Sequence, residues 1–144
     1  MLIGEYEHTI DAKKRMALPA KFRRDLGKEA VITRGLDQCL FVYPMQEWKR
    51  VAEALANLPT GQASNRSFTR LFLAGAAHVE TDGLGRILIP DYLKQYAELS
   101  EKVAIVGVGK RLEIWDAKRW EVYKAETEKQ ADTLAERLGE IGAY

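Results

Sequence analysis

The chain has 144 residues, 47% of them hydrophobic and 30% charged, with a formal net charge of +1. That composition excludes a disordered or fibrous protein, and no run approaches the ~18 consecutive apolar residues of a membrane span. Residues 1–10 carry acids and a His where a secretion signal needs a basic start and a long apolar run, so a cytoplasmic protein is expected.

Taken in chain order, the pattern predicts a strand over 6–10, a turn over 11–14 and a strand over 15–18. Pro19 then opens a short helix to 26, as a proline at the first helical position would. Strands over 30–33 and 40–43, joined by a turn around Gly35 and Asp37, lead into a helix over 45–58. A loop over 59–65 precedes a helix to 76, on which Phe68, Leu71, Phe72 and Gly75 recur at helical spacing and are expected in the core. Strands follow over 79–81 and 86–89, then a helix over 90–97 and strands over 103–108 and 112–115. The last element is read as one long helix over 116–138, with a patchy apolar stripe at Trp120, Tyr123, Thr127, Leu134 and Leu138. Cys39, the single cysteine, permits no intrachain disulfide and is expected in the core.

This order of elements repeats. Asp11-Ala-Lys-Lys-Arg15-Met-Ala-Leu-Pro19-Ala-Lys-Phe22 aligns at an offset of 71 with Asp82-Gly-Leu-Gly-Arg86-Ile-Leu-Ile-Pro90-Asp-Tyr-Leu93. After a one-residue insertion, Leu40-Phe-Val-Tyr43 and Trp48 align with Leu112-Glu-Ile-Trp115 and Trp120. Four residue types, Asp, Arg, Pro and Trp, coincide at consistent spacing, which marks an internal duplication. Each copy is about 45 residues long before its trailing helix, too small to bury a core alone, so the copies are expected to pair about a pseudo-twofold axis. The expected divisions are 1–58, a first module with its trailing helix; 59–76, a linker and bridging helix; and 77–144, a second module with the C-terminal helix.

The near-neutral total conceals an uneven distribution of charge. Lys13, Lys14, Arg15, Lys21, Arg23 and Arg24 put six positive charges into twelve residues with no acid among them, whereas residues 113–140 hold eight acids against five bases. The basic run suits phosphate; it also suits a plain solvated face. Within it, Asp11 and Arg15 stand four residues apart across a turn, as do Asp82 and Arg86 in the second copy. An Asp opening a turn accepts the turn's own backbone N–H groups, and its second oxygen can orient a guanidinium. An arginine so held at a sheet rim, with Lys13 and Lys14 beside it, fits phosphate or the O6 and N7 acceptors of guanine. The same spacing is equally compatible with a pair that only braces the turn.

These strings, with Leu-Glu-Ile-Trp-Asp at 112–116, resemble the MraZ family over residues 1 to about 120. The resemblance implies an α+β fold in which two tandem AbrB-like swapped-hairpin β modules pair as an intramolecular pseudo-dimer with flanking helices. It implies a transcriptional regulator that binds direct repeats of double-stranded DNA upstream of its own division and cell-wall gene cluster, works on the nucleoid and assembles as a homo-oligomeric ring. It places DNA contacts on Arg15, Arg86, Lys13 and Lys14, with Asp11 and Asp82 bracing the turns. The family's first motif commonly has Gly before its Arg, where this chain has Lys14, so the first turn is expected to differ in shape from the second, which keeps Gly83 and Gly85. Phe41, Tyr43, Trp48 and Trp115 are candidates for core or for contact between subunits.

The same residues allow two other readings. His8 near Asp11 and His78 near Asp82 suggest acid–base pairs, but their spacings differ and no nucleophile or phosphate-loop motif accompanies them. Gly107-Val-Gly109 falls in a predicted hairpin rather than before a helix, unlike a dinucleotide site. An enzyme is therefore not expected, nor a cofactor, a metal, a membrane or a small-molecule substrate. A protein-interaction or antitoxin-like assembly module is the remaining alternative.

Overall fold

A computed structural model describes residues 1–144. The first copy contributes β1 (Leu2–Thr9), β2 (Arg15–Ala17), α1 (Ala20–Leu26), β3 (Glu29–Arg34) and β4 (Leu40–Pro44), followed by α2 (Met45–Ala56) and α3 (Ala63–Ala74). The second contributes β5 (Ala77–Glu80), β6 (Arg86–Leu88), α4 (Asp91–Tyr96), β7 (Lys102–Gly109) and β8 (Leu112–Asp116), followed by α5 (Ala117–Lys129) and α6 (Ala131–Glu140). Pro19, Pro44 and Pro90 cap α1, α2 and α4 from just outside the helix, with extended ψ of 141°, 149° and 145°. The sequence reading had Pro19 one residue further in. A proline at the cap sacrifices no helical N–H, and the Pro19 carbonyl accepts from Phe22 and Arg23 as that of Pro90 does from Leu93 and Lys94.

The two copies exchange strands. A six-stranded antiparallel sheet runs β1-β7-β8-β4-β3-β5, so β1 of the first copy lies on the β7–β8 hairpin of the second, and β5 of the second lies on the β3–β4 hairpin of the first. The hairpins meet through β4 and β8. The remaining strands, β2 and β6, pair only with each other as a short antiparallel ribbon in which Met16 faces Ile87. This is the swapped-hairpin pseudo-dimer that the resemblance implied.

Strand alternation then divides the apolar residues between two cores. Leu40 and Val42 on β4, with Leu112 and Ile114 on β8, join Met16, Phe22, Ile87 and Leu93 in a twenty-residue cluster. Ten of its members precede residue 77 and ten follow it, so the main core belongs to neither copy. Phe41, Tyr43 and Trp115 point the other way, where they pack with Cys39, Phe72, Ala104 and Val106 beneath Trp48, Val51, Phe68 and Trp120. Core, not subunit contact, is therefore where three of the four aromatic candidates lie; Trp48 is half-buried, stacked on Phe72 at 5.6 Å. Burial pushes the Cys39 thiol far above its ordinary range, as befits an inert core cysteine.

Three local expectations need correction. β1 begins at Leu2, not Tyr6, because its ladder to β7 continues to Gly109. The C-terminal helix is broken at Gln130 (φ −105°, ψ 8°), and the break lets Trp120 and Tyr123 of α5 line one groove with Leu134 and Leu138 of α6. On α3, Phe72 is buried but Leu71 faces solvent, because only one face of that helix meets the sheet. Gly107 serves packing: a Cβ there would lie 2.7 Å from the Ile3 backbone nitrogen, so the glycine lets β1 approach β7.

Candidate nucleic-acid interface

Each Asp–Arg turn closes on itself in the same way. Oδ1 of Asp11 accepts the backbone N–H groups of Lys13 and Arg15, both at 2.9 Å, while Oδ2 accepts Nε of Arg15 at 3.0 Å. In the second turn, Oδ1 of Asp82 accepts from Leu84 and Arg86, both at 2.9 Å, and Oδ2 from Nε of Arg86 at 2.8 Å. Hydrogen bonds from the Arg15 and Arg86 backbone lead the causes that hold both carboxyls below the usual carboxylate range. A carboxyl with a depressed folded pKa stabilises above its unfolded value, about 3.9 for Asp, and loses that contribution as pH falls through the folded value. The braces are therefore complete at neutral pH. The Nε resonances of Arg15 and Arg86 should stay fixed from pH 8 to 5 and shift only in stronger acid; movement near pH 6 would contradict the assignment.

The first turn does not differ in shape, against expectation. Lys14 takes φ 63° where Gly85, its counterpart, takes 77°. A left-handed lysine costs roughly 1 kcal/mol, and the position is held by contacts on both sides. Its carbonyl accepts the Ile89 N–H at 2.8 Å and its ammonium meets the Asp91 carboxylate. Reciprocally, the Gly85 carbonyl accepts the Leu18 N–H at 2.9 Å, so each turn is bolted to the other copy. The same substitution at Gly85 would require Arg23 to move, because a Cβ there would stand on its guanidinium. Lys14→Gly should thus raise stability by no more than about 0.5 kcal/mol, the strain less the glycine's extra chain entropy of about 0.5–1 kcal/mol. Urea unfolding checks this, and a clearly lower midpoint would count against strain at Lys14.

The two arginines share one surface. Across the ribbon Arg15 faces Leu88 and Arg86 faces Ala17, so the outward positions are Arg15, Ala17, Arg86 and Leu88, whereas Met16 and Ile87 are sealed below. Arg15 and Arg86 occupy one diagonal, a separation of about 7–8 Å. In each, only Nε is bonded within the protein; the Nη groups are left to an outside acceptor. Side-chain exposures of 32% and 25% fit groups held in place yet reachable. Lys13 is exposed at the turn tip, Lys14 is paired with Asp91, and Lys21 and Arg24 are exposed on α1. Arg23 is tied inward, Nη1 donating to the Leu18 carbonyl at 2.7 Å. The His–Asp pairs do not form, since both carboxylates are taken by their own turns.

Asp82→Asn separates the two jobs of the carboxylate. The amide oxygen can still accept the turn's N–H groups, but the amide nitrogen cannot accept from Nε. The variant should keep its fold by circular dichroism while Arg86 becomes mobile and binding to any anionic ligand falls; loss of fold would show that Asp82 braces the module itself.

Sequence reasoning missed Glu113, buried at 9% exposure on β8. It accepts from Nη2 of Arg111 at 2.7 Å and from Nε1 of Trp115 at 3.1 Å, while Arg111 stacks 4.0 Å over Phe41. On β8 the residue shares the Trp115 face, opposite Leu112 and Ile114, and nothing in the string announced its partners.

Fold and turns together define a swapped-hairpin protein made of two tandem copies of one module, with an arginine pair displayed on the ribbon between them. The family model described as "MraZ protein, putative antitoxin-like" matches residues 1–71 and again residues 72–140. The chain belongs to the MraZ family, whose curated members carry the name transcriptional regulator. It is similar to the protein "Transcriptional regulator MraZ" of Moorella thermoacetica, at 51% identity over 96% of both chains. Proteins of the same name from Caldanaerobacter subterraneus subsp. tengcongensis (49%, 96% of both chains) and Thermoanaerobacter sp. (48%, 98% and 99%) are alike throughout.

Proposed function

We propose that this chain is a sequence-specific DNA-binding regulator of its own division and cell-wall gene cluster, recognising direct repeats in the promoter as a ring-shaped homo-oligomer on the nucleoid. The observation that carries the DNA reading is the pair of identical turns bracketing one ribbon, each fixing an arginine by Nε and backbone while leaving its Nη groups free. A two-stranded ribbon fits a major groove about 12 Å wide, and a guanidinium fixed at one nitrogen enters a bidentate contact with little entropy left to lose. Lys13 supplies phosphate affinity beside it, as do Lys21 and Arg24 on α1; Lys14 contributes through the shape of its turn as much as through charge. The names of the relatives support regulation of transcription. A ring would reconcile a net charge of only +1 with useful affinity, because linked copies on repeated sites gain avidity without new contacts.

The test is a gel-shift titration against DNA from upstream of the chain's own gene, with an unrelated duplex of equal length as competitor. Preference for the upstream DNA, weakening linearly with log salt, is the expected result. Equal binding to both duplexes, or to neither, would overturn the proposal. It would then favour the second reading, a protein-binding or antitoxin-like assembly module, which the family description and the apolar groove between α5 and α6 support.

A further inference from the structure

The two halves of the ribbon are equivalent in backbone but not in chemistry. At the shared offset of 71, Arg15 matches Arg86, yet Lys13 matches Leu84 and Ala17 matches Leu88. Leu84, at the tip of the second turn, is 73% exposed, and Leu88, on the outward face opposite Arg15, is 55% exposed. Ile87 between them is buried. A single exposed leucine is ordinary. Two that flank the same arginine, Leu88 on the face displaying the free guanidinium groups and Leu84 at the tip of the turn that leads into Arg86, lie within reach of whatever those groups bind.

We propose that Leu84 and Leu88 cover thymine methyl groups beside the bases contacted by Arg86 and Arg15, so that the two halves of the site read different chemistry and the protein sits on its DNA in one orientation. The inference rests on the DNA-binding reading above. In the major groove guanine offers two acceptors and thymine the only apolar group, its C5 methyl. Arginine and leucine adjacent on a ribbon match a guanine and a thymine close together. The ribbon's pseudo-dyad passes through the Met16–Ile87 pair. Identical halves would prefer an inverted repeat; a cationic tip on one side and an apolar tip on the other abolish that preference. Lys13 offers phosphate contact at the first turn, where the second has only Leu84.

The test compares the upstream duplex with the same duplex carrying deoxyuridine in place of thymidine, which removes only the methyl groups. The native protein should lose about fourfold in affinity for each methyl it covers, the factor for one buried methylene. The Leu84→Ala/Leu88→Ala double variant, altered only at exposed positions, should bind both duplexes equally and near the native affinity for the deoxyuridine duplex, with an unchanged salt slope. Leu84→Lys should add about one to that slope while removing methyl discrimination at its turn. A native protein indifferent to the methyl groups, or a double variant that still discriminates, overturns the inference while leaving DNA recognition intact. So does a double variant whose mass by light scattering falls, for the leucines would then be contacting protein. If the native protein shows no preference for the upstream duplex at all, the proposed function fails and takes this inference with it.

Discussion

Arg15→Ala and Arg86→Ala are each expected to weaken binding to the upstream DNA by about 5- to 150-fold, the range of one bidentate base contact, and to lower the ratio over unrelated duplex by a similar factor. The reason is geometric. Removing the side chain leaves Oδ1 of Asp11 or Asp82 still holding two backbone N–H groups, so the turn survives. What is lost is the fixed guanidinium. Arg→Lys sharpens the test, since lysine keeps the charge but has neither an Nε–H for the Asp nor a planar fork for the base. Arg15→Lys should therefore lose sequence preference with its salt slope preserved. Lys13→Ala, Lys21→Ala and Arg24→Ala should do the reverse, reducing affinity on every duplex alike with a slope smaller by about one each. If Arg15→Lys and Arg86→Lys prefer the upstream DNA as strongly as the native protein, the arginines are serving only as charges and the ribbon is not reading bases.

The candidate site was legible because its logic is local. An Asp that accepts from residues two and four positions ahead needs a turn of one length only, so two letters at fixed spacing carried the geometry, and duplication displayed them twice. Lys14 shows where letters mislead. Its identity argued for a different turn, yet its carbonyl bond to Ile89 and its pairing with Asp91 come from the other copy and impose the shape of the glycine turn. The same non-local dependence hid the start of β1. Leu2 is its only buried residue; Tyr6 reaches the core only edge-on to Phe22, and Glu5 is held by Trp120 and Lys124 of α5, so little alternation marks the strand. Its partner lies about a hundred residues away. The break at Gln130 was likewise unmarked, for no Gly or Pro interrupts 117–138; the apolar groove shared by α5 and α6 accompanies it. Leu84 and Leu88 were read only as members of the repeat, because exposure cannot be seen in a string.

Strand exchange leads to the other large expected effect: residues 1–76 and 77–144, produced separately, should each fail to fold as a monomer. In the first fragment β1 loses β7, β2 loses β6 and β3 loses β5, leaving the β3–β4 hairpin with its helices. In the second, β5 and β6 lose their only partners. Ten of the twenty main-core residues are removed in either case, and chains of this length bury too little surface to tolerate it. The Asp–Arg turns would suffer as well, since the cross-copy bonds from Leu18 to Gly85 and from Ile89 to Lys14 set their position. Each fragment should bind a hydrophobic dye and unfold without a cooperative transition. An equimolar mixture should recover cooperative unfolding with a midpoint that rises with concentration, as required when association and folding are one event. A fragment that alone unfolds cooperatively at a midpoint independent of concentration would show an autonomous module, and the arginine pair would then be assembled by docking two finished domains rather than by the fold itself.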